Sequence, residues 1–423
     1  MPTPVPARHA RSPRRLARGA AIACLAVVAL VVAACEPAPP APEAAKPASG
    51  LSIKVAGKDL VDASGQVVQL RGVNRPGTEY RCAQDPSYYG FITDDSGTDG
   101  KTVAYAAKAI EALKSWNKPG AAGNAINTVR IPMNEDCWLG INGVPSAYSG
   151  ANYQRFIAAE VDAATAAGMY VILDLHWSAP GSFLATQQDV GPNADHSIAF
   201  WREVATAYKD QPSVVFDLIN EPRLWCSSAA CNASYTTASQ TAWGCYRDGC
   251  TYTYTADDHV TGRTSGQIKI AGSQQLVDEI RAAGATNVIL IEGLGYANAL
   301  DLWTAYKPKD PAQQIAAELH TYPSSGANVN NKAWLDDMLS RGGLSTTYPI
   351  VVGEFGEGVC NASSTGFTQQ TMDWADSHGY SYAAWGWDSG EGCSGPTLVT
   401  RNDAGSASTY GAVVKAHLQS KQG

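Results

Sequence analysis

The sequence predicts a parallel (β/α)8 TIM barrel, with a short N-terminal β-hairpin before it and a disulfide-rich loop after its fourth strand. Three observations carry that prediction. Eight short segments, apolar almost throughout and so suited to burial on both faces, recur along the 423 residues. Helix-patterned stretches separate most of them, giving the alternation of a parallel α/β fold. No Gly-x-Gly-x-x-Gly turn or phosphate-cradling loop stands where an open nucleotide-binding sheet would carry one.

Arg8, Arg11, Arg14, Arg15 and Arg18 precede an apolar run over 20–34 that ends in small residues and is short for a membrane span. Residues 1–35 are therefore expected to be a cleaved export signal. Val32-Ala33-Ala34-Cys35 has the form of a lipobox, in which Cys35 becomes the lipid-bearing first residue of a lipoprotein; an ordinary secretory cut is the alternative. Residues 36–50, mostly Pro, Ala, Glu and Lys, cannot bury a core and are expected to form a linker. The folded body, 51–423, opens with an alternating stretch over 52–69 that turns at Gly57-Lys58 and Ser64-Gly65, a hairpin expected to cap one end. Strands are then expected over 70–74, 125–133, 170–177, 213–221, 287–295, 316–322, 349–356 and 380–388. Helices are expected over 101–116, 153–167, 197–209, 265–283 and 368–377. Residues 224–263, with four cysteines and four tyrosines, read as an extended loop on the fourth strand.

Setting Cys24 and Cys35 aside leaves eight cysteines, an even number that in an exported chain points to disulfides. Spacing suggests Cys226 with Cys231 and Cys245 with Cys250, leaving Cys82 with Cys137 and Cys360 with Cys393 as longer links. Four residues between the members of each close pair is also a spacing that structural zinc tolerates. The net charge of −8, with Lys and Arg scattered beyond the leader, gives no footprint for nucleic acid. Eleven tryptophans and nineteen tyrosines suit stacking on sugars as well as a core.

Catalytic groups of such a barrel come from the C-terminal ends of its strands. The expected ends carry Arg130, His176, Asn220 with Glu221, His320 with Tyr322, Glu354 and Trp385. Two glutamates three strands apart are the pair that glycosidic bond cleavage requires, one to protonate the departing oxygen and one to attack or activate water. Glu354, beside Tyr322 and a cation such as Arg130, is expected to stay ionised as nucleophile. Glu221 is expected to keep its proton as acid, through partial burial and the neighbouring charge. Glu292, on the fifth strand, has no assigned part beyond a structural hydrogen bond. Bland alternatives exist: core packing for Trp138, Trp177 and Trp303, and an ion pair of Arg130 with Glu135 or Asp136. Trp385 and Trp387, two apart, are expected to share a face. No serine has glycine two positions before and two after it, as a serine hydrolase elbow would.

Asn220-Glu221-Pro222, Val352-Gly353-Glu354-Phe355-Gly356, Val129-Arg130-Ile131-Pro132, Leu173-Asp174-Leu175-His176-Trp177 and Leu319-His320-Thr321-Tyr322 together resemble glycoside hydrolase family five, the cellulase family. The resemblance runs over about 70–388. It implies a retaining double displacement with Glu221 as acid/base and Glu354 as nucleophile, while Arg130, His176, Asn220, His320, Tyr322 and Trp385 line the bond-cleaving subsite. It implies no cofactor and no metal. The expected partner is a β-glucan or related polysaccharide, hydrolysed by a monomer that is exported and touches the membrane only through a lipid at Cys35. An endo-β-1,4-glucanase is the leading expectation; an exo-β-1,3-glucanase or β-mannanase of the family, or a non-catalytic glycan-binding protein, are the alternatives.

Overall fold

The structure is a computed structural model, and the residues it describes are 50–84, 101–224, 239–255, 265–323, 331–358, 366–389, 395–401 and 404–422. The leader, nearly all of the linker, and Cys226, Cys231, Cys360 and Cys393 lie outside them.

The chain opens with β1 (Lys54–Ala56) and β2 (Asp59–Val61), an antiparallel hairpin turning at Gly57-Lys58. There follow β3 (Arg71–Asn74), β4 (Thr128–Asn134), β5 (Tyr170–Trp177), β6 (Val214–Asp217), β7 (Cys250–Tyr254) and β8 (Gly266–Ile270). Next come β9 (Ile289–Glu292), β10 (Ile315–Thr321), β11 (Ile350–Phe355) and β12 (Ser381–Ala384). β3, β4, β5, β6, β9, β10, β11 and β12 pair in parallel in that order and close into a barrel. The expected (β/α)8 architecture is therefore the observed one.

Period-two alternation decides which side chains enter the barrel. Val171, Leu173 and Leu175 of β5, like Val214 and Phe216 of β6, join the large core shared with the surrounding helices. Their alternates point inward and stack in layers. The bottom layer is apolar: Tyr170, Ile172, Val215, Leu290, Ala316 and Val351, closed from below by Ile53 and Leu60 of the hairpin. The hairpin is thus the expected cap. One step up each strand the inward residues become polar and charged: Arg130, Asp174, Asp217, Glu292 and Glu318, all buried.

Two departures from expectation have local causes. Residues 265–283 are not one helix; β8 pairs antiparallel with β7, and the helix is confined to Ser273–Ala282. The break falls at Gly272, where a Cβ would lie 2.5 Å from the Arg247 carbonyl oxygen. The insertion on the fourth barrel strand accordingly runs past 263, and its described part holds the helix Gln240–Asp248 as well as β7 and β8. A Cys245–Cys250 disulfide joins that helix to β7, so this close pair is not a zinc site. Cys82–Cys137 forms the expected longer link.

Candidate active site

The two glutamates reach the upper mouth of the barrel by different routes. β6 ends at Asp217, and Glu221 lies four residues on, in a turn where its φ is +47°. For a residue with a Cβ this left-handed conformation costs roughly 1–2 kcal/mol. The flanks of the turn are fixed by Asn220 N–H donating to the Leu175 carbonyl at 3.0 Å and Arg223 N–H donating to the Val190 carbonyl at 2.8 Å. Glu354 is delivered by a bulge instead. Between Leu319/Val352 and His320/Glu354 the β10–β11 register gains one residue, Gly353, which turns Glu354 toward His320. A Cβ on Gly353 would fall 1.5 Å from Oε1 of Glu318, so this glycine makes room for a buried acid rather than for a ligand.

Glu354 is held by two strong donors, Nη1 of Arg130 on Oε1 and the Tyr322 hydroxyl on Oε2, each at 2.7 Å. Burial and the adjacent Glu354 charge push the Tyr322 phenol well above its ordinary range, which keeps it a donor. Glu221 accepts a hydrogen bond from Nε2 of Gln188 at 3.0 Å on one oxygen, and its other oxygen lies 3.1 Å from Nδ1 of His320. Its side chain is 15% exposed against 5% for Glu354. Burial is the largest influence on Glu221 and raises its pKa; the hydrogen bond from Gln188 opposes it. His320 bridges the pair, its Nδ1 being also 3.6 Å from Oε2 of Glu354.

Arg130 and His320 are fully enclosed and Asn220 nearly so, which places them beneath the two glutamates rather than on an open sugar surface. Arg130 lies three residues into the seven of β4, and its ion-pair partners are not Glu135 or Asp136. It contacts five carboxyls: Asp174 at 3.0 Å, Asp217 at 2.8 Å, Glu292 at 3.3 Å, Glu318 at 3.6 Å and Glu354 at 2.7 Å. One guanidinium cannot balance five buried carboxylates. Burial pushes Asp174 and Asp217 up to about 7, and Glu292 and Glu318 well above the carboxylate range. Burial also depresses His176 to about 4 and His320 to about 3, leaving both rings neutral.

His176 is oriented by Asp174, 2.6 Å from its Nδ1, and stacks on Trp385 with ring centres 5.3 Å apart. Trp387 does not share that face: β12 ends at Ala384, the Trp385–Gly386 peptide is cis, and Trp387 packs instead on Trp116 at 4.7 Å. Trp138 packs between Phe200 and Tyr208 and Trp303 is wholly buried, so these two are packing residues; Trp177 sits edge-on to Tyr80 and is buried to the same degree as Trp385.

The expected groups thus converge on one mouth, together with Gln188, Asp174, Asp217 and Glu318, which had no place in the expected set, and Glu292, expected only to make a structural hydrogen bond, which it does to the Glu221 N–H. Among the described residues, Glu221, His320 and Glu354 present donor atoms within 4.8 Å of one another, as do Glu292, Glu318 and His320. Either set has metal-ligating chemistry, but Arg130 already supplies a positive charge to Glu354, Glu292 and Glu318.

A (β/α)8 barrel that lifts two opposed carboxyls to the C-terminal ends of its strands, one of them held by an arginine and a tyrosine, is the framework of a glycoside hydrolase. A profile of the cellulase family, glycosyl hydrolase family 5, matches residues 118–391. The chain belongs to that family. It is 23% identical over 327 residues to a probable endo-beta-1,4-glucanase B of Neosartorya fischeri, covering 72% of this chain and 78% of that one. It is 26% identical over 170 residues to an endoglucanase of a Microbulbifer species, covering 40% of this chain and 26% of that protein. Endoglucanase E-5 of Thermobifida fusca is 27% identical over 172 residues, covering 40% of this chain and 28% of that protein. The chain thus spans about a quarter of the length of each of these last two. In fold it is similar to a beta-glucanase of Saccharophagus degradans, solved alone and with cellotetraose. The TM-score to the native form is 0.59 at 20% identity, covering 91% of this chain and 98% of that one.

Proposed function

We propose that this protein is an exported, retaining endo-β-1,4-glucanase that cleaves β-glucan with Glu221 and Glu354. The observation that carries the reading is the convergence of one oxygen from each glutamate and Nδ1 of His320 within 4.8 Å. Nearest oxygens that close favour the roughly 5–5.5 Å carboxyl spacing of retaining enzymes over the roughly 6.5–9.5 Å of inverting ones, which place a water between the two groups. Glu354 attacks the anomeric carbon and forms an ester bond to it as the glycosidic C–O bond breaks, and the Glu221 proton passes to the departing oxygen. Glu221, now a carboxylate, takes a proton from water; the water oxygen attacks the same carbon, the ester bond breaks, and Glu221 has recovered its proton. The asymmetry of the two environments supports these parts: Arg130 and Tyr322 each donate to an oxygen of Glu354, whereas burial raises the pKa of Glu221. Trp385, stacked on His176, is the proposed floor for a sugar ring.

The choice of β-1,4-glucan rests on the endoglucanase relatives and on the cellotetraose bound by the Saccharophagus degradans enzyme. Export rests on the leader and on the two disulfides, which form and persist in oxidising compartments; attachment through Cys35 extends that proposal. The test is product analysis on a panel of β-glucans and β-mannans, with the anomeric configuration followed by NMR. The expected first product retains the β configuration, and Glu221→Gln or Glu354→Gln lowers turnover of glucan about 10³-fold or more without unfolding the chain. An inverted product, or activity confined to mannan, overturns the reading.

A further inference from the structure

Glu292 ends β9 directly under the Glu221 turn. The β6–β9 ladder stops early: Asp217 pairs with Leu290, and the last main-chain bond there is the weak 3.4 Å contact from Leu218 N–H to the Leu290 carbonyl. Beyond it, the Glu292 side chain takes the place of a ladder carbonyl. Its Oε2 accepts the Glu221 amide N–H at 2.5 Å. Its Oε1 lies 3.3 Å from Nη2 of Arg130 and 3.5 Å from Nε2 of His320. The same imidazole turns its Nδ1 to Glu221, so Glu292 meets both the main chain of Glu221 and the ring that orients its carboxyl. Glu318 and His320 from β10, Asp217 from β6, Asp174 from β5, Arg130 from β4 and Tyr246 from the insertion are the titratable and charged groups around Glu292. Of these contacts, the amide of Glu221 goes to Glu292 alone.

A residue with a Cβ keeps a left-handed backbone only where its surroundings fix it. Leu175 and Val190 fix the neighbours of Glu221; the amide of Glu221 itself is fixed by Glu292. We propose that Glu292 is a positioning residue for the proton donor: it pins the Glu221 amide and, through His320, sets the direction in which the Glu221 carboxyl faces the scissile oxygen. The proposal rests on the reading of Glu221 as acid/base. It concerns the proton delivered to the leaving group: Glu354 keeps the Tyr322 hydroxyl, and Arg130, which Glu292 also touches, stays held by Asp174, Asp217 and Glu318 when Glu292 is removed.

The test compares two substrates in the full chain: a β-1,4-linked glucan oligosaccharide, whose departing oxygen needs a proton, and 2,4-dinitrophenyl β-cellobioside, whose leaving group does not. Glu292→Ala is expected to lower kcat/KM on the oligosaccharide about 100-fold and on the dinitrophenyl substrate less than about threefold. Glu292→Gln, which keeps an oxygen for the amide, is expected to stay within about fivefold of the parent on both. Melting temperature is followed for each variant. Equal losses on the two substrates, or no loss on either, overturn the proposal. Glu221→Gln separates the two levels: if it shows the leaving-group pattern and Glu292→Ala does not, the positioning role alone falls; if Glu221→Gln lacks it, the acid/base reading falls.

Discussion

At Glu221 burial and hydrogen bonding pull the proton in opposite directions, and Gln188 supplies the bond that favours the anion. Its amide is fixed from the other side, because Asn220 Nδ2 donates to its Oε1 at 2.7 Å while its Nε2 donates to Glu221 at 3.0 Å. Replacing Gln188 by Leu removes a donor to the carboxylate and so raises the Glu221 pKa further. The alkaline limb of the kcat/KM profile is therefore expected to move to higher pH, with kcat down about tenfold because the second step needs the carboxylate as base. A pH–rate series on a soluble glucan checks both; an unmoved limb would remove Gln188 from the site. Nothing in the sequence marks Gln188, which lies on a loop without strand or helix pattern. Asp174 and Glu318 did leave a signal. Each stands two positions before a site histidine, His176 and His320, and in a strand that spacing puts both side chains on one face. Reading those strands as uniformly buried hid the polar interior.

β11 places Glu354 only because one extra residue is bulged out of it, and that residue is a glycine because the Glu318 carboxyl occupies the space of a side chain. Gly353→Ala should therefore disturb the packing of Glu318, at a cost of about 1–3 kcal/mol typical of overpacked sites. In a Glu318→Ala background the cost of the same change should shrink. A double-mutant cycle on thermal or denaturant unfolding measures the coupling, and strict additivity would contradict the contact. All eight barrel strands were legible as apolar runs with polar ends. The bulge was not, because the sequence of β11 reads as one continuous apolar run ending at a carboxylate until its partner is known. β8 was misread for a related reason: Gln267, Ile268, Lys269 and Ile270 alternate exposed and buried as a strand does, but they run into a helix across Gly272 and the join resembles one long helical pattern.

The barrel as a whole stores more acid than its single central arginine can neutralise, and its stability should follow pH accordingly. An acid whose pKa is raised by folding binds its proton more tightly in the fold, so its contribution is full below the unfolded value and is lost as pH climbs through the folded one. Asp174 and Asp217 are raised to about 7, and Glu79 and Glu135 to about 8, all by burial, Glu135 despite three donors. The lowered His176 and His320 act the other way, costing stability below their ordinary value of 6.5. Asp376 is depressed by His417, Lys421 and Arg71; its contribution is present above about 4 and lost in stronger acid. The raised acids outnumber the histidines, so the melting temperature is expected to peak at about pH 4 and fall steadily to pH 8. A flat or rising curve across that interval would contradict this balance. Ile53 enters the barrel from its apolar floor, and Ser52 is bonded there to the Tyr170 hydroxyl, while the glutamates stand at the opposite rim. The described chain thus enters from the underside, so a bulky group fused ahead of Gly50 is expected to leave hydrolysis at the far rim unchanged.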